Sequence, residues 1–251
     1  MCVIFYQTSS QPLFTYDEIK AAALTNPHGM GWMANINGIV EYQKGYFNVD
    51  KFYDDYVQLR NNPDLVDIAL HFRIGTGSAV DIANCHPFPL TSNKKRIKKS
   101  SGHCDVGIMM NGIIGKSTTE FSDTALYVMN SLKGYYDIDR RFFLHLNRHQ
   151  LALFENEISP CRFVFMCKDG TKLFGNGWSN YENKGQVSNR HWIPKPVYKN
   201  KYHTDDVYIG SYDGFDEWYE SKRAKRFANK KKEERHKSYI DYLMEATKEG
   251  A

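Results

Sequence analysis

The sequence contains no long apolar run. No segment approaches the roughly 20 consecutive apolar residues that a membrane-spanning helix needs. The first residues also lack the charged region and longer apolar segment of a secretory signal. These absences argue against a membrane protein and against secretion. We therefore expect a cytoplasmic protein with no membrane partner.

Cysteine is scarce and its spacing is irregular. The chain has five cysteines, an odd number without compact spacing, which argues against a disulfide scaffold and favours a reducing compartment. There is no Cys-x-x-Cys pair of the kind that holds zinc. The pairs Cys85-His86 and His103-Cys104 place ligands side by side, which suits one tetrahedral ion poorly. We expect neither a metal nor another cofactor.

Excess basic charge is confined to two segments. The net charge is +4, yet residues 222–237 alone hold nine Lys or Arg against two Glu, and residues 93–99 hold five more. The rest of the chain is therefore acidic, unlike a protein that binds nucleic acid over its whole surface. We interpret 93–99 as a solvated loop. We expect 222–237 to form a helix with a solvated charged face, and nucleic-acid binding by this helix stays as an alternative.

Strand patterns dominate the first part of the chain. With 41% hydrophobic and 14% aromatic residues, 251 residues can bury a sizeable core. Residues 67–73 have the alternation of a half-buried strand, and Asn37-Gly38 predicts a hairpin turn. Ser122 is suited to cap the helix that follows it. After about residue 178 the sequence loses its periodicity, which predicts an irregular extension.

Cys2 has the most distinctive chemistry in the chain. It opens a strand-like apolar run, residues 2–8. Small second residues permit removal of the initiator Met, which would give Cys2 both a thiol and a free α-amine. An α-amine titrates near pH ~8, so it can act as a base for the thiol, whose thiolate is the reactive form. A buried cysteine in a first strand is the structural alternative.

Four further segments follow Cys2 in order: residues 26–31, residues 71–88, Asn111-Gly112 and Ser122-Asp123-Thr124. Together they resemble the class II glutamine amidotransferases, whose domain belongs to the N-terminal nucleophile hydrolases. Members of that family typically begin Met-Cys-Gly-Ile. They then carry an Arg-x-x-Thr-x-Gly loop, a downstream Asn-x-His-Pro, an Asn-Gly pair and Ser-Asp-Thr. The resemblance covers roughly residues 2–180.

The resemblance implies an α+β fold. The expected architecture is a four-layer α/β/β/α sandwich of mainly antiparallel sheets, as in the N-terminal nucleophile hydrolases. We expect this amidotransferase-like domain to span residues 1–180. The remaining residues, 181–251, would form an irregular extension that ends in the charged helix.

Three residues have catalytic roles implied by the resemblance. Cys2 would attack the side-chain amide of glutamine while its own amine carries the proton. Asn111 and Gly112 would form the oxyanion hole, the first through its side-chain amide and the second through its backbone N–H. Without the resemblance, Asn111-Gly112 would be interpreted as an ordinary hairpin turn.

Five residues would bind the substrate. Arg73 would hold the α-carboxylate of glutamine, because its planar fork suits a bidentate carboxylate. Asp123 would pair with the α-ammonium group. The loop that closes over the substrate would contain Ile74, Thr76 and Gly77. Without the resemblance, Arg73 would be a surface cation and Asp123 a helix cap.

Two departures from the family pattern lie next to predicted catalytic residues. Val3 replaces the glycine that commonly follows the nucleophile, and Met110 stands where a His often precedes Asn-Gly. Neither change removes a catalytic group, so both indicate a divergent member. We interpret His86 as a residue that shapes its loop through hydrogen bonds.

The implied function is a glutamine amidotransferase that hydrolyses glutamine through a Cys2 thioester to glutamate and ammonia. The sequence shows no recognisable acceptor domain, so we expect a separate synthetase or acceptor subunit to use the ammonia. Two alternatives stay open. The same site could hydrolyse a γ-glutamyl amide or peptide, or the chain could be an inactive binding module that acts through its basic tail.

Overall fold

Residues 1–194 are described by the computed structural model. The predicted helix at 222–237, together with the rest of the predicted extension beyond residue 194, lies outside the described residues. Within residues 1–194, no helix combines the length and the apolar composition needed to cross a membrane.

The described residues form eleven strands and six α-helices. The strands are β1 (Val3–Thr8), β2 (Met30–Ile36), β3 (Ile39–Tyr46), β4 (Leu65–Phe72), β5 (Phe88–Pro89), β6 (Ser101–Cys104), β7 (Val106–Asn111), β8 (Arg162–Cys167), β9 (Gly170–Phe174), β10 (Ser179–Tyr181) and β11 (Gly185–Val187). The helices are α1 (Tyr16–Thr25), α2 (Val49–Arg60), α3 (Lys94–Ile97), α4 (Asp123–Tyr127), α5 (Lys133–Ile138) and α6 (Arg148–Ile158). A π-helical turn, Val128–Leu132, joins α4 to α5.

The strands form two antiparallel sheets. The larger sheet has seven strands in the order β10-β11-β1-β4-β2-β3-β6, and the smaller has four in the order β5-β7-β8-β9. Every strand pair in the described residues is antiparallel. The prediction of an α+β fold with mainly antiparallel sheets is therefore confirmed.

Strand β1 lies inside the seven-stranded sheet, between β4 and β11. Val3 is opposite Phe72, which places the start of β1 beside the end of β4. On the other side, Phe5 is opposite Val187. Residues just beyond 180, the end of the predicted domain, therefore lie in the same sheet as β1.

Three apolar clusters join the sheets and helices. One lies between the seven-stranded sheet and helices α1 and α2, and includes Phe5, Phe14, Ile19, Phe52 and Phe72. A second joins the four-stranded sheet to α4, the π-helical turn and α6, and includes Ile108, Ala125, Val128, Phe154 and Phe163. A third contains residues from both sheets, including Ile4, Met33, Ala69, Met109 and Val164. Because side chains alternate along a strand, β1 contributes to the first and third clusters in turn.

Local sequence signals explain some of the element bounds. Asn37 and Gly38 have φ values of 49° and 81°, as the predicted hairpin turn requires. The prediction that residues 93–99 form only a loop is wrong, because Asn93 caps the short helix α3 by accepting two backbone N–H groups. Ile97 of this helix is fully buried and anchors the basic segment to the body.

Candidate active site

Cys2 lies at the end of the seven-stranded sheet where β1 begins and β4 ends. The pairing of Val3 with Phe72 brings Cys2 next to the loop that follows β4. There the N–H of Ile74 donates to Cys2 Sγ at 3.4 Å, and Sγ lies 3.5 Å from the Ile74 carbonyl oxygen. The strand pairing thus fixes the thiol against the loop that carries the predicted substrate-binding residues.

Burial disfavours the thiolate form of Cys2. Burial raises the pKa of this thiol above its ordinary value, and the nearby Asp123 carboxylate acts in the same direction. The Ile74 N–H, the N-terminal ammonium and the Arg73 guanidinium lower the pKa, but the effect of burial is larger. A nucleophile in this position therefore needs a base to take its proton.

Cys2 lines a narrow cleft together with five of the other predicted site residues: Arg73, Ile74, Thr76, Gly112 and Asp123. The rest of the lining consists of Gly75, Ser78, His86, Met110, Ser117, Ser122 and Thr124. Asn111 and Gly77 are neighbours of lining residues without being part of the lining. The open space is about 20 Å³, room for about one water molecule, so a larger substrate enters only when part of the lining moves.

Arg73 carries a buried positive charge without a counter-ion in the described residues. Its side chain is 3% exposed; Nη2 donates to Ser78 Oγ at 2.8 Å, and Nη1 has no hydrogen-bond partner among residues 1–194. No described Asp or Glu forms an ion pair with it. A buried cation without an anion is costly. Arg73 is therefore suited to bind an anion that this part of the chain does not supply.

Asp123 begins helix α4 but does not cap it. Ser122 is the cap, as predicted, because its Oγ accepts the N–H of Ala125 at 3.2 Å. Asp123 accepts the N–H of Ile114 through Oδ2 at 2.9 Å and the N–H of Thr124 through Oδ1 at 2.8 Å. Both carboxylate oxygens are thereby held in place in the lining of the cleft.

Asn111 and Gly112 reach the site from the end of β7 in the four-stranded sheet. Asn111 is fully buried; its Nδ2 donates to Ser188 Oγ at 3.0 Å, and its Oδ1 has no partner within the described residues. Gly112 has a φ of +148°, and an added Cβ would lie 2.5 Å from Cys161 Sγ. The pair is not a tight hairpin turn, since the partner strand β8 begins only at Arg162. Only glycine fits where the backbone of Gly112 meets the cleft.

The loop after β4 closes one side of the cleft. Gly77 packs against Ser117, and an added Cβ at Gly77 would lie 2.3 Å from the Ser117 hydroxyl oxygen. The N–H of Gly75 donates to His28 Nδ1 at 2.8 Å. Thr76 is exposed and lines the cleft. The glycines therefore allow close packing of the loop, whereas Thr76 is free to contact a ligand.

Two buried histidines stack beside the cleft. The rings of His71 and His86 lie 4.0 Å apart, and burial lowers the pKa of both, to about 3 for His71. His71 Nε2 lies 3.0 Å from the Met110 carbonyl oxygen. The interpretation that His86 acts through hydrogen bonds is wrong for residues 1–194, because neither ring nitrogen has a partner there. His86 is held by stacking on His71 and by the Phe88 ring, 4.8 Å away. Because its pKa is lowered by burial, His86 is unsuited to take a thiol proton.

Sequence reasoning missed three residues that support the site. Ser78, which accepts a hydrogen bond from Arg73, lies in the glycine-rich loop. A hydroxyl side chain only five positions after the arginine was the signal that could have identified it. Ser188 binds Asn111, and Asn189 Nδ2 donates to the Cys2 carbonyl oxygen at 2.7 Å. No local pattern marks these last two residues, because only the pairing of β11 with β1 brings them to the site.

Neither a metal site among residues 1–194 nor a matching protein family supplies a separate indication of function. Among residues 1–194, no three His, Cys, Asp or Glu side chains are grouped as a metal site requires. Comparisons with protein-family models and with curated proteins find no match for the chain. The function must therefore be argued from the residues and geometry of the cleft.

Proposed function

We propose that the protein is a class II glutamine amidotransferase that hydrolyses the side-chain amide of glutamine through a Cys2 thioester. One observation carries the proposal. A thiol, a buried guanidinium without a counter-ion among residues 1–194 and a fixed carboxylate meet in one cleft, although Cys2, Arg73 and Asp123 are far apart in sequence. These groups match the amide carbon, the α-carboxylate and the α-ammonium of glutamine.

The three apolar clusters support the four-layer α/β/β/α sandwich of an N-terminal nucleophile hydrolase. Each sheet packs on helices through one cluster, and the third cluster contains residues of both sheets. Ile4 belongs to this third cluster. Cys2 precedes Ile4 by two positions, so by strand alternation its side chain takes the same face. In such a sandwich the nucleophile would meet groups from the opposite sheet.

The reaction would follow removal of Met1, which leaves an α-amine on Cys2. The amine takes the thiol proton while Sγ attacks the amide carbon of glutamine. When the C–N bond breaks, the proton passes to the leaving amine, and ammonia departs from a thioester. Water then attacks the thioester, which releases glutamate and restores the thiol. Because burial raises the pKa of Cys2, a base on the same residue avoids the need for a preformed thiolate.

The remaining predicted residues have roles that this reaction needs. Asn111 and Gly112 stabilise the oxyanion, and loss of one such donor typically costs about 3–4 kcal/mol in the barrier. Arg73 binds the α-carboxylate and Asp123 the α-ammonium. The loop that opens to admit glutamine and closes over it contains Ile74, Thr76 and Gly77.

The product ammonia requires an acceptor. We propose that a separate synthetase or acceptor subunit in the cytoplasm uses it. A γ-glutamyl amide or peptide would require the same nucleophile and oxyanion hole. An inactive binding module would require neither, so turnover distinguishes the module from both hydrolases.

The decisive experiment is labelling with 6-diazo-5-oxo-L-norleucine, an electrophilic glutamine analogue, followed by peptide mapping by mass spectrometry. We expect an adduct on Cys2 in a peptide that lacks Met1, and protection by excess glutamine. Glutamate release from glutamine is measured in parallel. Cys2→Ser should lose the adduct and slow glutamate release by at least about 10³-fold.

The matched control is Cys167→Ser. Cys167 is a half-buried thiol that donates to the Gly170 carbonyl oxygen at 3.3 Å and does not line the cleft, so its loss should leave labelling unchanged. Retention of Met1 with an unlabelled Cys2, while a known amidotransferase labels fully, would contradict the proposal. Faster release from a γ-glutamyl peptide than from glutamine would change the substrate. Salt-sensitive nucleic-acid binding without turnover would favour the binding module.

A further inference from the structure

The segment after β11 holds both the nucleophile strand and the predicted oxyanion residue. Ser188 is fully buried, and its N–H donates to the Ile4 carbonyl oxygen at 2.9 Å. Its hydroxyl oxygen accepts the N–H of Ile4 at 2.9 Å and lies 3.0 Å from Asn111 Nδ2. The adjacent Asn189 donates to the Cys2 carbonyl oxygen at 2.7 Å. One short segment therefore makes three hydrogen bonds to the backbone of Cys2 and Ile4 and one to the side chain of Asn111.

The hydrogen bonds of Asn111 are incomplete in the present orientation of its amide. Nδ2 donates to Ser188, while the buried Oδ1 has no partner among residues 1–194. A hydroxyl both donates and accepts, and Ser188 Oγ already accepts from Ile4. The Ser188 hydrogen is therefore available for an oxygen. Rotation of the Asn111 amide by 180° would let Oδ1 accept that hydrogen and would turn both N–H groups away from Ser188.

The face of β7 that carries Asn111 is the one that meets the other sheet. Met109 belongs to the apolar cluster that contains residues of both sheets, and Asn111 follows it by two positions on the same strand. Cys2 likewise lies two positions from Ile4, which belongs to the same cluster. Asn111 and Cys2 therefore lie on the faces of their strands that contribute to the cluster between the two sheets.

We propose that Ser188 is a positioning residue that holds Asn111 as the side-chain donor of the oxyanion hole. This inference rests on the proposed function. A negatively charged oxygen near Cys2 attracts the N–H groups and favours the rotated amide, in which the Ser188 hydroxyl donates to Oδ1. Ser188 then fixes the orientation of the Asn111 amide when charge develops on the substrate oxygen, and the uncharged side-chain amide of bound glutamine gains little from it.

The experiment combines Ser188→Ala with Asn111→Ala in a double-mutant cycle, with glutaminase kinetics as the readout. Ser188→Ala should lower kcat about 10-fold, the equivalent of one hydrogen bond, and change KM for glutamine less than about twofold. In the Asn111→Ala background the same substitution should have almost no further effect on kcat, because it acts through the missing amide. Ser188→Thr, which keeps the hydroxyl, should restore most of the loss if its thermal unfolding matches that of the wild type.

The control is Ser179→Ala in β10. The Ser179 hydroxyl lies 3.3 Å from Arg190 Nε and outside the cleft lining, so its loss should leave kcat unchanged. An equal loss of kcat from Ser188→Ala in both backgrounds would show a purely structural role and overturn the inference. Unchanged kcat in Ser188→Ala, with an active wild type that labels at Cys2, would also overturn it and leave the proposed function standing. A wild type that neither labels nor turns over would overturn the proposed function, and the inference with it.

Discussion

The two sheets contribute differently to the candidate site. The seven-stranded sheet places Cys2 before β1 and Arg73 after β4. Within the described part of the chain, Nη1 of the buried Arg73 has no hydrogen-bond partner. The four-stranded sheet contributes Asn111 and Gly112 at the end of β7. There the backbone is fixed by close packing of Gly112 on Cys161.

This difference suggests separate roles in the proposed reaction for Arg73, which would bind the ligand, and Gly112, which would stabilise developing charge. An unpaired guanidinium is a group that gains a partner when an anionic ligand binds. A backbone segment held by close packing needs no rearrangement when charge develops. Changes at Asn111 and Gly112 should therefore act mainly on kcat, and changes at Arg73 mainly on KM.

The largest effect is expected from Gly112→Ala. The new Cβ would lie 2.5 Å from Cys161 Sγ, at a φ of +148° that side chains rarely adopt. The backbone must shift, and displacement of the proposed oxyanion donor should lower kcat about 10²–10³-fold. Strain and overpacking should also lower the free energy of unfolding by about 2–4 kcal/mol. Steady-state glutaminase kinetics and urea unfolding measure the two effects.

Two other glycines separate strain from the loss of the donor. Gly170 has a similar φ of +140°, but no atom lies within 4 Å of an added Cβ. Gly170→Ala should therefore lose stability through strain alone and keep its kcat. Gly115→Ala has open space and no positive φ and should be neutral. A Gly112→Ala enzyme as active as Gly170→Ala would mean that the Gly112 backbone takes no part in catalysis.

The next effect tests the contact between the sheets. Met109 is fully buried in the cluster that contains residues of both. Met109→Ala should lower the free energy of unfolding by about 2–5 kcal/mol, because it leaves a cavity in a close-packed core. Ile138→Ala is the control, since Ile138 is 86% exposed and should change stability by less than about 0.5 kcal/mol. A loss of kcat in Met109→Ala at a temperature where it is fully folded would show that the two halves of the site depend on this contact.

Local signals in the sequence predicted the parts of the fold that depend on neighbours in the chain. The turn at Asn37-Gly38 and the cap at Ser122 each depend on residues within three positions. Ser188 could not be found in this way, because its role depends on strand β11 crossing to β1 from the far end of the described chain. Ile97 was missed for a related reason, since its burial beneath five charged neighbours is decided by tertiary packing rather than by charge pattern.

Replacement of Arg73 and of Arg60 by Met should change the free energy of unfolding in opposite directions. Arg73→Met removes a buried charge that has no counter-ion among residues 1–194, so the free energy of unfolding should rise by about 1 kcal/mol or more. The same change should raise KM for glutamine about 10–100-fold, through the loss of a charge-assisted hydrogen bond. Arg60 donates instead to the carbonyl oxygens of Thr8, Ser9 and Gln11.

Arg60→Met should therefore lower the free energy of unfolding by about 1–3 kcal/mol and leave KM unchanged. Urea unfolding and steady-state kinetics on both variants, with the wild type as reference, make the comparison. If Arg73→Met destabilises the protein as Arg60→Met does, Arg73 is a structural cation and its proposed role as the carboxylate ligand fails.

The smallest effect concerns a second buried cation of the seven-stranded sheet. Lys44 is 3% exposed, and its Nζ donates to the carbonyl oxygens of Ala83 and Ile97 at 2.9 and 2.8 Å. Burial lowers the pKa of Lys44 to about 7, although Cys85 and Asp81 act in the opposite direction. The unfolded chain keeps the ordinary pKa near ~10.4. Between these values the unfolded state binds more protons, so the contribution of Lys44 to stability should increase as pH rises through 7.

Comparison with Lys44→Met isolates this contribution from other titrating groups. From pH 7 to pH 8, the unfolding free energy of the wild type should gain about 1 kcal/mol relative to the variant, since one proton difference corresponds to about 1.4 kcal/mol per pH unit. Urea unfolding at pH 6, 7 and 8 measures the difference. Below pH 7 the variant should be the more stable protein, because Met places no buried charge at that position.

A difference that does not change with pH would mean that the carbonyl oxygens and the Phe88 ring, 4.2 Å away, fully compensate the buried ammonium of Lys44. The seven-stranded sheet would then tolerate a buried cation that has no counter-ion among the described residues. In that case the buried guanidinium of Arg73 would no longer indicate that an anion binds there.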